Sequence, residues 1–319
     1  MKNDAHVIKP KVNKNIRYIG EKLIVNPYYG CAHQCLFCPA NDGYLKKKVF
    51  EEFLRNGSIF VVENIVDHVD AYIQNAKGKE VTVHLSPVTD PFQPIEKVYH
   101  LTLKIMKYCS EKNIPMAICT KAEVPNSAFP YLKAHPKSFV QVSLPSINEK
   151  KRRFIVRGGG LTVRETLKNI GFMIKNGILV MLRIDPIYPF INDDMEEFEA
   201  LLIESSKIGV TYVLSSIADI YYGALEREFS YLEKYQQGLG EKYQRLYQNE
   251  IQGRFHADIG YRKKLFENMS RLCEKHQMYF GITWEPDLDG NNLGNVYNYG
   301  ADRFFETRED DKGKRRCIQ

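Results

Sequence analysis

Short runs rich in β-branched residues alternate with longer amphipathic stretches along the first two thirds of the chain. VTVHLS at 81–86, PMAICTK at 115–121, FVQVSLPS at 139–146, LVMLRIDPI at 179–187 and TYVLSSI at 211–217 have strand length and composition. Between them, KVYHLTLKIMKYCSEKN sets Val98, Leu101, Ile105 and Cys109 on one helical face. VRETLKNIGFMIKNG does the same with Leu167, Ile170 and Ile174, ahead of Gly177 as a stop. Strand and helix repeated in this way predict parallel βαβ units.

Within each strand one set of alternate positions is apolar and the other polar or small. Val81, Val83 and Leu85 oppose Thr82, His84 and Ser86; Val140, Val142 and Leu144 oppose Gln141 and Ser143. Val180, Leu182 and Ile184 oppose Met181, Arg183 and Asp185, and Met116 and Ile118 oppose Ala117, Cys119 and Lys121. A doubly wound sheet is covered by helices on both faces and needs apolar residues on both, so a polar second face predicts strands curled around a lumen. A closed eight-stranded barrel fills that lumen with Val, Ile and Leu. Polar lining points instead to a wider or incomplete barrel that holds a polar ligand.

After about residue 218 the texture changes. ALEREFSYLEKYQQGLGEKYQRLYQNEIQGRF and YRKKLFENMSRLCEKHQ read as Tyr- and Lys-rich helices, followed by a strand-like MYFGITWEP. The division expected is an N-terminal segment at 1–20, a partial barrel at 21–218, a helical extension completing it at 219–300 and a charged tail at 301–319.

Composition adds limits. Hydrophobic residues at 44% and charged residues at 26% suit a folded globular chain rather than a disordered one. No run of eighteen apolar residues occurs, and the basic first twenty residues lack the apolar region of a secretory signal, so the expectation is a cytoplasmic protein with no membrane partner. The net charge of +6 is a mild excess on a chain of 319 residues and permits an anionic partner without demanding one.

Three of the seven cysteines, Cys31, Cys35 and Cys38, crowd into NPYYGCAHQCLFCPAN. Their C-x3-C-x2-C spacing is no disulfide framework. Three thiolates in one loop can hold an iron–sulfur cubane by three corners, leaving one iron open to a small molecule. Zinc held by the three cysteines and His33 is the alternative, although His33 lies only two residues from both Cys31 and Cys35.

This motif at the front of a repeated βα chain is similar to that of the radical SAM superfamily. With SPVTDPFQPIEK, the TK at 120–121 and RIDPIYPFIND, it resembles the spore photoproduct lyase-like branch, also called DNA repair photolyase-like, over roughly residues 20–285. The resemblance implies an α/β fold, a partial (β/α)6 barrel with a C-terminal helical extension. It also implies a [4Fe-4S] cluster on Cys31, Cys35 and Cys38 that binds S-adenosylmethionine and cleaves it reductively to methionine and a 5′-deoxyadenosyl radical. Carried over by motif, Thr89 and Asp90 would hold the methionine amino end, with Lys121 and Ser143 near its carboxylate and the ribose. Arg183 and Asp185 would lie beside the adenosine, and Phe37 would pack on adenine. The implied partner is an external one-electron reductant; the substrate is unassigned, a nucleic acid or nucleotide being the first expectation. A modifier of a peptide or small metabolite, and a non-catalytic zinc and nucleic-acid binding module, are the competing readings.

The chain departs from that branch in two respects. Where the lyases carry a cysteine that returns a hydrogen atom to product, residues 86–90 are Ser, Pro, Val, Thr and Asp; where tyrosines are expected after the cluster, Pro39 and Ala40 stand. Cys119 shares a strand face with Lys121 but lies about 7 Å deeper, and reads as packing, as do Cys109 and Cys273. RGGG at 157–160 reads as a turn more than a phosphate loop, His256 and Asp258 as a local contact more than a metal pair, and the helical tyrosines as packing more than base stacking.

Overall fold

The structure, a computed structural model, describes residues 5–9, 16–19, 22–36, 38, 58–76, 80–221, 225–283, 285–289 and 291–292. Phe37 and the tail at 301–319 lie outside the described residues. The chain divides into two compact units, residues 1–142 with 153–180, and residues 143–152 with 181–319.

In chain order the elements up to residue 175 are β1 (Ala5–Ile8), β2 (Arg17–Ile19), β3 (Lys22–Val25), β4 (Tyr28–Tyr29), β5 (Ile59–Val62), α1 (Ile65–Gln74), β6 (Thr82–Leu85), α2 (Glu96–Tyr99), α3 (Leu101–Glu111), β7 (Met116–Thr120), α4 (Phe129–Ala134), β8 (Phe139–Ser143), α5 (Glu149–Ile155) and α6 (Val163–Lys175). In the first unit β3, β6, β7 and β8 run parallel in that spatial order, with β2 antiparallel on β3. Register aligns Val25, Leu85, Ile118 and Val140 in one row, and all four are fully buried. The neighbouring row, Ile24, His84, Ala117 and Phe139, carries the mixed face that the alternation predicts. A separate small sheet places β5 between parallel β1 and antiparallel β4.

α6 starts where the sequence expects. Thr162 accepts from the Glu165 amide at 3.2 Å while the Glu165 carboxylate accepts from the Thr162 amide at 2.8 Å, a reciprocal cap, and Gly177 takes φ +81° just past its end. The helix expected over 97–113 is broken. His100 adopts φ +54°, splitting it into α2 and α3, so the helical phase does not carry through and Val98 is 67% exposed instead of joining buried Leu101, Ile105 and Cys109.

The later elements are β9 (Leu179–Ile187), α7 (Met195–Lys207), β10 (Tyr212–Ile217), β11 (Ile220–Tyr221), α8 (Leu225–Tyr235), α9 (Leu239–Leu246), β12 (Asn249–Ile251), β13 (Arg254–His256), α10 (Ile259–Lys275) and β14 (Tyr279–Ile282). In the second unit β10 lies between parallel β9 and β14. Three short antiparallel strands pair in the order β11-β13-β12, and β12 with the start of β13 falls in the stretch 224–255 that reads as helical in sequence. β12 and β13 meet through a two-residue turn, Gln252 at φ +53° and Gly253 at φ +77°, the left-handed pair that matches strand twist. No helix among the described residues is long and apolar enough to cross a membrane.

Candidate active site

The cysteine loop leaves the C-terminal end of β3 through Asn26, Pro27 and β4, and turns at Gly30, φ +82°. Two long side chains from the segment after β6 organise it. Fully buried Gln93 accepts from the Ala32 amide at 2.9 Å and donates to the Gly30 carbonyl at 3.3 Å, gripping the backbone on both sides of Cys31. Asn26 returns the support, its Oδ1 accepting from the Val88 and Thr89 amides at 3.4 Å each. Glu96, from the same segment, accepts from the Tyr28 hydroxyl and from the Thr102 and Leu103 amides at 3.0 Å each.

Asp90 is the centre of this end of the unit. Its Oδ1 accepts from the Phe92 amide and the Thr120 hydroxyl at 2.9 Å each; its Oδ2 accepts from the Lys121 amide at 2.6 Å and meets His33 Nε2 at 3.0 Å. Burial opposes charge on this carboxyl, but His33 and the other donors outweigh it and hold the group below its ordinary range. The opposite side of the loop docks on residues 155–160. Leu36 donates to the Ile155 carbonyl at 2.8 Å, Gly158 donates to the His33 carbonyl at 2.7 Å, Cys35 and Val156 form an antiparallel bridge, and Arg157 Nε reaches the Gln34 carbonyl at 3.1 Å. Gly158 of RGGG thus serves backbone contact with the cysteine loop, and Gly160 faces the His33 imidazole.

The three cysteines are half-exposed as residues and free of disulfides. Desolvation raises the Cys31 thiol well above its ordinary pKa, with the charges of Asp90, Cys38 and Cys35 adding to it. Cys35 is also raised by desolvation, opposed by the positive charges of Lys121 and Arg157. On the mixed face of the sheet His84 Nε2 lies 3.2 Å from Cys119 Sγ, which donates to Gln141 Oε1 at 3.3 Å, so Cys119 sits in a polar chain across β6, β7 and β8.

In the second unit, Ser143 is buried at the end of β8. Arg183 pairs with Asp185, and the Ser216 hydroxyl donates to Asp185 at 2.6 Å. The end of β10 is a junction. After Ser216, the Ile217 amide donates to Glu285 at 2.5 Å, the Ala218 carbonyl accepts from the Tyr247 hydroxyl at 2.7 Å, and Asp219 pairs with Arg254 at 2.7 Å. Glu285 also meets fully buried Arg262 at 3.2 Å. Asp258 caps α10 through the Tyr261 amide, and His256 is buried on β13. Tyr243 and Tyr247 stack on each other with centroids 5.0 Å apart, so these two tyrosines pack internally.

Residues 25–202, more than half of the chain, match the model of the Radical SAM superfamily. The chain belongs to that superfamily. Its similar proteins include the Radical SAM Nα-GlyT isomerase of Pseudomonas phage M6, 27% identical over 63% of this chain and 40% of the isomerase. A spore photoproduct lyase variant superposes with TM-score 0.64 at 15% identity, covering 88% of this chain and 82% of that one. The same lyase complexed with dinucleoside spore photoproduct gives TM-score 0.61, also at 15% identity, over 88% of this chain and 82% of the lyase. SuiB of Streptococcus suis, bound to S-adenosylmethionine, gives 0.54 at 12% identity, over 83% of this chain and 50% of SuiB. The chain therefore spans less than half of the isomerase and half of SuiB. These structural likenesses establish the α/β fold of radical SAM enzymes.

The residues fit the cofactors that the superfamily implies. Three thiols share one loop, and His33 Nε2 is engaged by Asp90 instead of being turned toward a tetrahedral cage with them. Among the described residues no three His, Cys, Asp or Glu side chains close on a single metal ion. Beside the loop, the hydroxyls of Thr89 and Ser86 are buried without a hydrogen-bond partner among the described residues, as groups awaiting a polar ligand are.

Proposed function

We propose that the chain is a radical SAM enzyme in which Cys31, Cys35 and Cys38 hold a [4Fe-4S] cluster and hydrogen is abstracted from a nucleic-acid or nucleotide substrate. The observation that carries this reading is the superfamily match over residues 25–202 together with three cysteines, free of disulfides, in one loop within it. When bound, the cluster supplies the electron that cleaves S-adenosylmethionine to methionine and a 5′-deoxyadenosyl radical.

The chain's own residues supply binding and orientation. Thr89, whose hydroxyl lacks a partner among the described residues, suits the methionine amino group. The Lys121 ammonium, close enough to act on Cys35, suits the carboxylate. By resemblance Ser143 is assigned to the ribose, Arg183 and Asp185 to adenosine, and Phe37 to the adenine face. Asp90, with four acceptor positions taken, is left out of that set. A one-electron reductant must come from outside, which suits a reducing compartment such as the cytoplasm. The substrate class is supported by the lyase relative solved with a dinucleoside. Repair of a thymine dimer in the lyase manner is not proposed, because Ser86, Pro87, Val88, Thr89 and Asp90 offer no thiol.

The test is anaerobic reconstitution followed by iron analysis, visible spectroscopy and assay of 5′-deoxyadenosine after reduction with S-adenosylmethionine. Iron-loaded protein that makes 5′-deoxyadenosine, with Cys35→Ala inactive and iron-poor, is the expected result. Colourless zinc-bound protein that makes none would end the radical reading. Deuterium transfer from a labelled dinucleotide, compared with a labelled peptide, then separates the substrate classes.

A further inference from the structure

We infer that Asp90, acting through His33, and the glycine segment Gly158–Gly160 hold the backbone around Cys31 and Cys35 in place before iron arrives; Asp90 is a positioning residue, not a contact for S-adenosylmethionine. The inference rests on the proposed function for its purpose and on this loop's own geometry for its content.

A carboxylate offers about four acceptor sites. All four on Asp90 are filled at 2.6 to 3.0 Å, three of them by its own segment and the end of β7 (the Phe92 amide, the Thr120 hydroxyl, the Lys121 amide) and one by His33 of the loop. Asp90 is 5% exposed and His33 4%, so water does not compete for the contact. The carboxylate is fixed by the strand ends and in turn fixes the imidazole. That imidazole lies between two cysteines, so its placement sets the turn between Cys31 and Cys35.

The second grip is steric. A Cβ on Gly158 would stand 1.9 Å from the Ala32 carbonyl oxygen and 2.7 Å from the His33 carbonyl carbon, both backbone atoms that cannot swing away as a side chain can. A Cβ on Gly160 would stand 3.3 Å from His33 Nδ1, so the far side of the same imidazole is also confined. With Gln93 holding Gly30 and Ala32, the backbone from 30 to 36 is held from both sides. Holding ligands in place beforehand removes the ordering cost from the binding step.

The experiment uses the full chain in metal-free and iron-loaded forms. Hydrogen exchange on metal-free protein is expected to show the Leu36 and Gly158 amides protected. Exchange at the rate of exposed amides would overturn the inference. In loaded protein challenged with a chelator, Asp90→Asn and His33→Leu should release iron about 10–100-fold faster. His33→Gln, whose side-chain amide can replace Nε2 as donor to Asp90, should return toward the wild-type rate. At equal iron content the KM for S-adenosylmethionine should not move. Unchanged iron release with a raised KM in Asp90→Asn would overturn the inference and make Asp90 a cofactor contact. Gly158→Ala should lose protection at Leu36 while the β9 and β10 amides keep theirs; if those are lost too, the His33 pair decides. A wild-type chain that takes up no iron would sink the proposed function, and the metal-free exchange arm would still decide the loop.

Discussion

Two buried carboxylates, one in each unit, meet opposite fates. Asp90 is 5% exposed and is held below its ordinary pKa range; Glu285 is 1% exposed and is pushed up to about 7. Depth does not explain the difference. Among the described residues Asp90 has four donors spread over both oxygens, whereas Glu285 has two, the Ile217 amide and Arg262. Arg262 donates also to the Ala257 and Pro286 carbonyls, yet its Nη2 has no partner among the described residues. A full set of short hydrogen bonds thus favours a buried negative charge more than a single guanidinium does, because desolvation of the second ion adds its own penalty.

The hardest strain on this comparison is Arg262→Met. Removing one member of a buried pair costs about 3–5 kcal/mol, read as a lowered urea midpoint, and adding Glu285→Gln should recover much of it. Equal midpoints for the single and double variants would show that the pair is not the source. Next comes Asp90→Asn, which replaces one acceptor by a donor facing donors; a stability loss of about 1–3 kcal/mol is expected, and the Glu285→Gln variant should lose less than this.

The pH dependence sharpens the contrast further. Glu285 rises from 4.5 to about 7 on folding, so the folded chain binds the extra proton and stability falls as pH rises between those values. His256 moves the other way, lowered by burial from 6.5 to about 4, so stability falls as pH drops across that window. Glu285→Gln should remove the first slope and His256→Gln the second, measured as thermal midpoints across the range. The smallest effect is Thr162→Ala, which deletes one half of the reciprocal cap on α6 for about 1 kcal/mol, with no change in iron content.

The alternation of polar and apolar residues was enough to find the parallel strands and the mixed face that carries His84, Cys119 and Gln141, because period-two patterns survive in buried parallel strands when one face is kept polar. The cysteine loop was legible from spacing alone. Its supports were not: His33 and Asp90 are 57 residues apart, and Arg157 meets Gln34 across 123, separations that no local pattern reports. Gln93 lies within SPVTDPFQPIEK, and nothing in its neighbours says that its amide will read a distant backbone. The β12–β13 hairpin left a weak trace, the Gln-Gly pair, but strands of three residues are too short to alternate visibly. The break at His100 comes from a left-handed φ at a single residue inside an otherwise helical period, which the apolar spacing does not report.

The end of β10 has an evolutionary consequence. Four successive residues, Ser216 to Asp219, each answer to a different distant segment: Asp185, Glu285, Tyr247 and Arg254. Inserting or deleting one codon there would slide all four out of step at once, and no single compensating substitution could restore them. The Gln252–Gly253 turn carries no such set of obligations, so length variation among descendants of this chain should accumulate at that turn and spare the four-residue span.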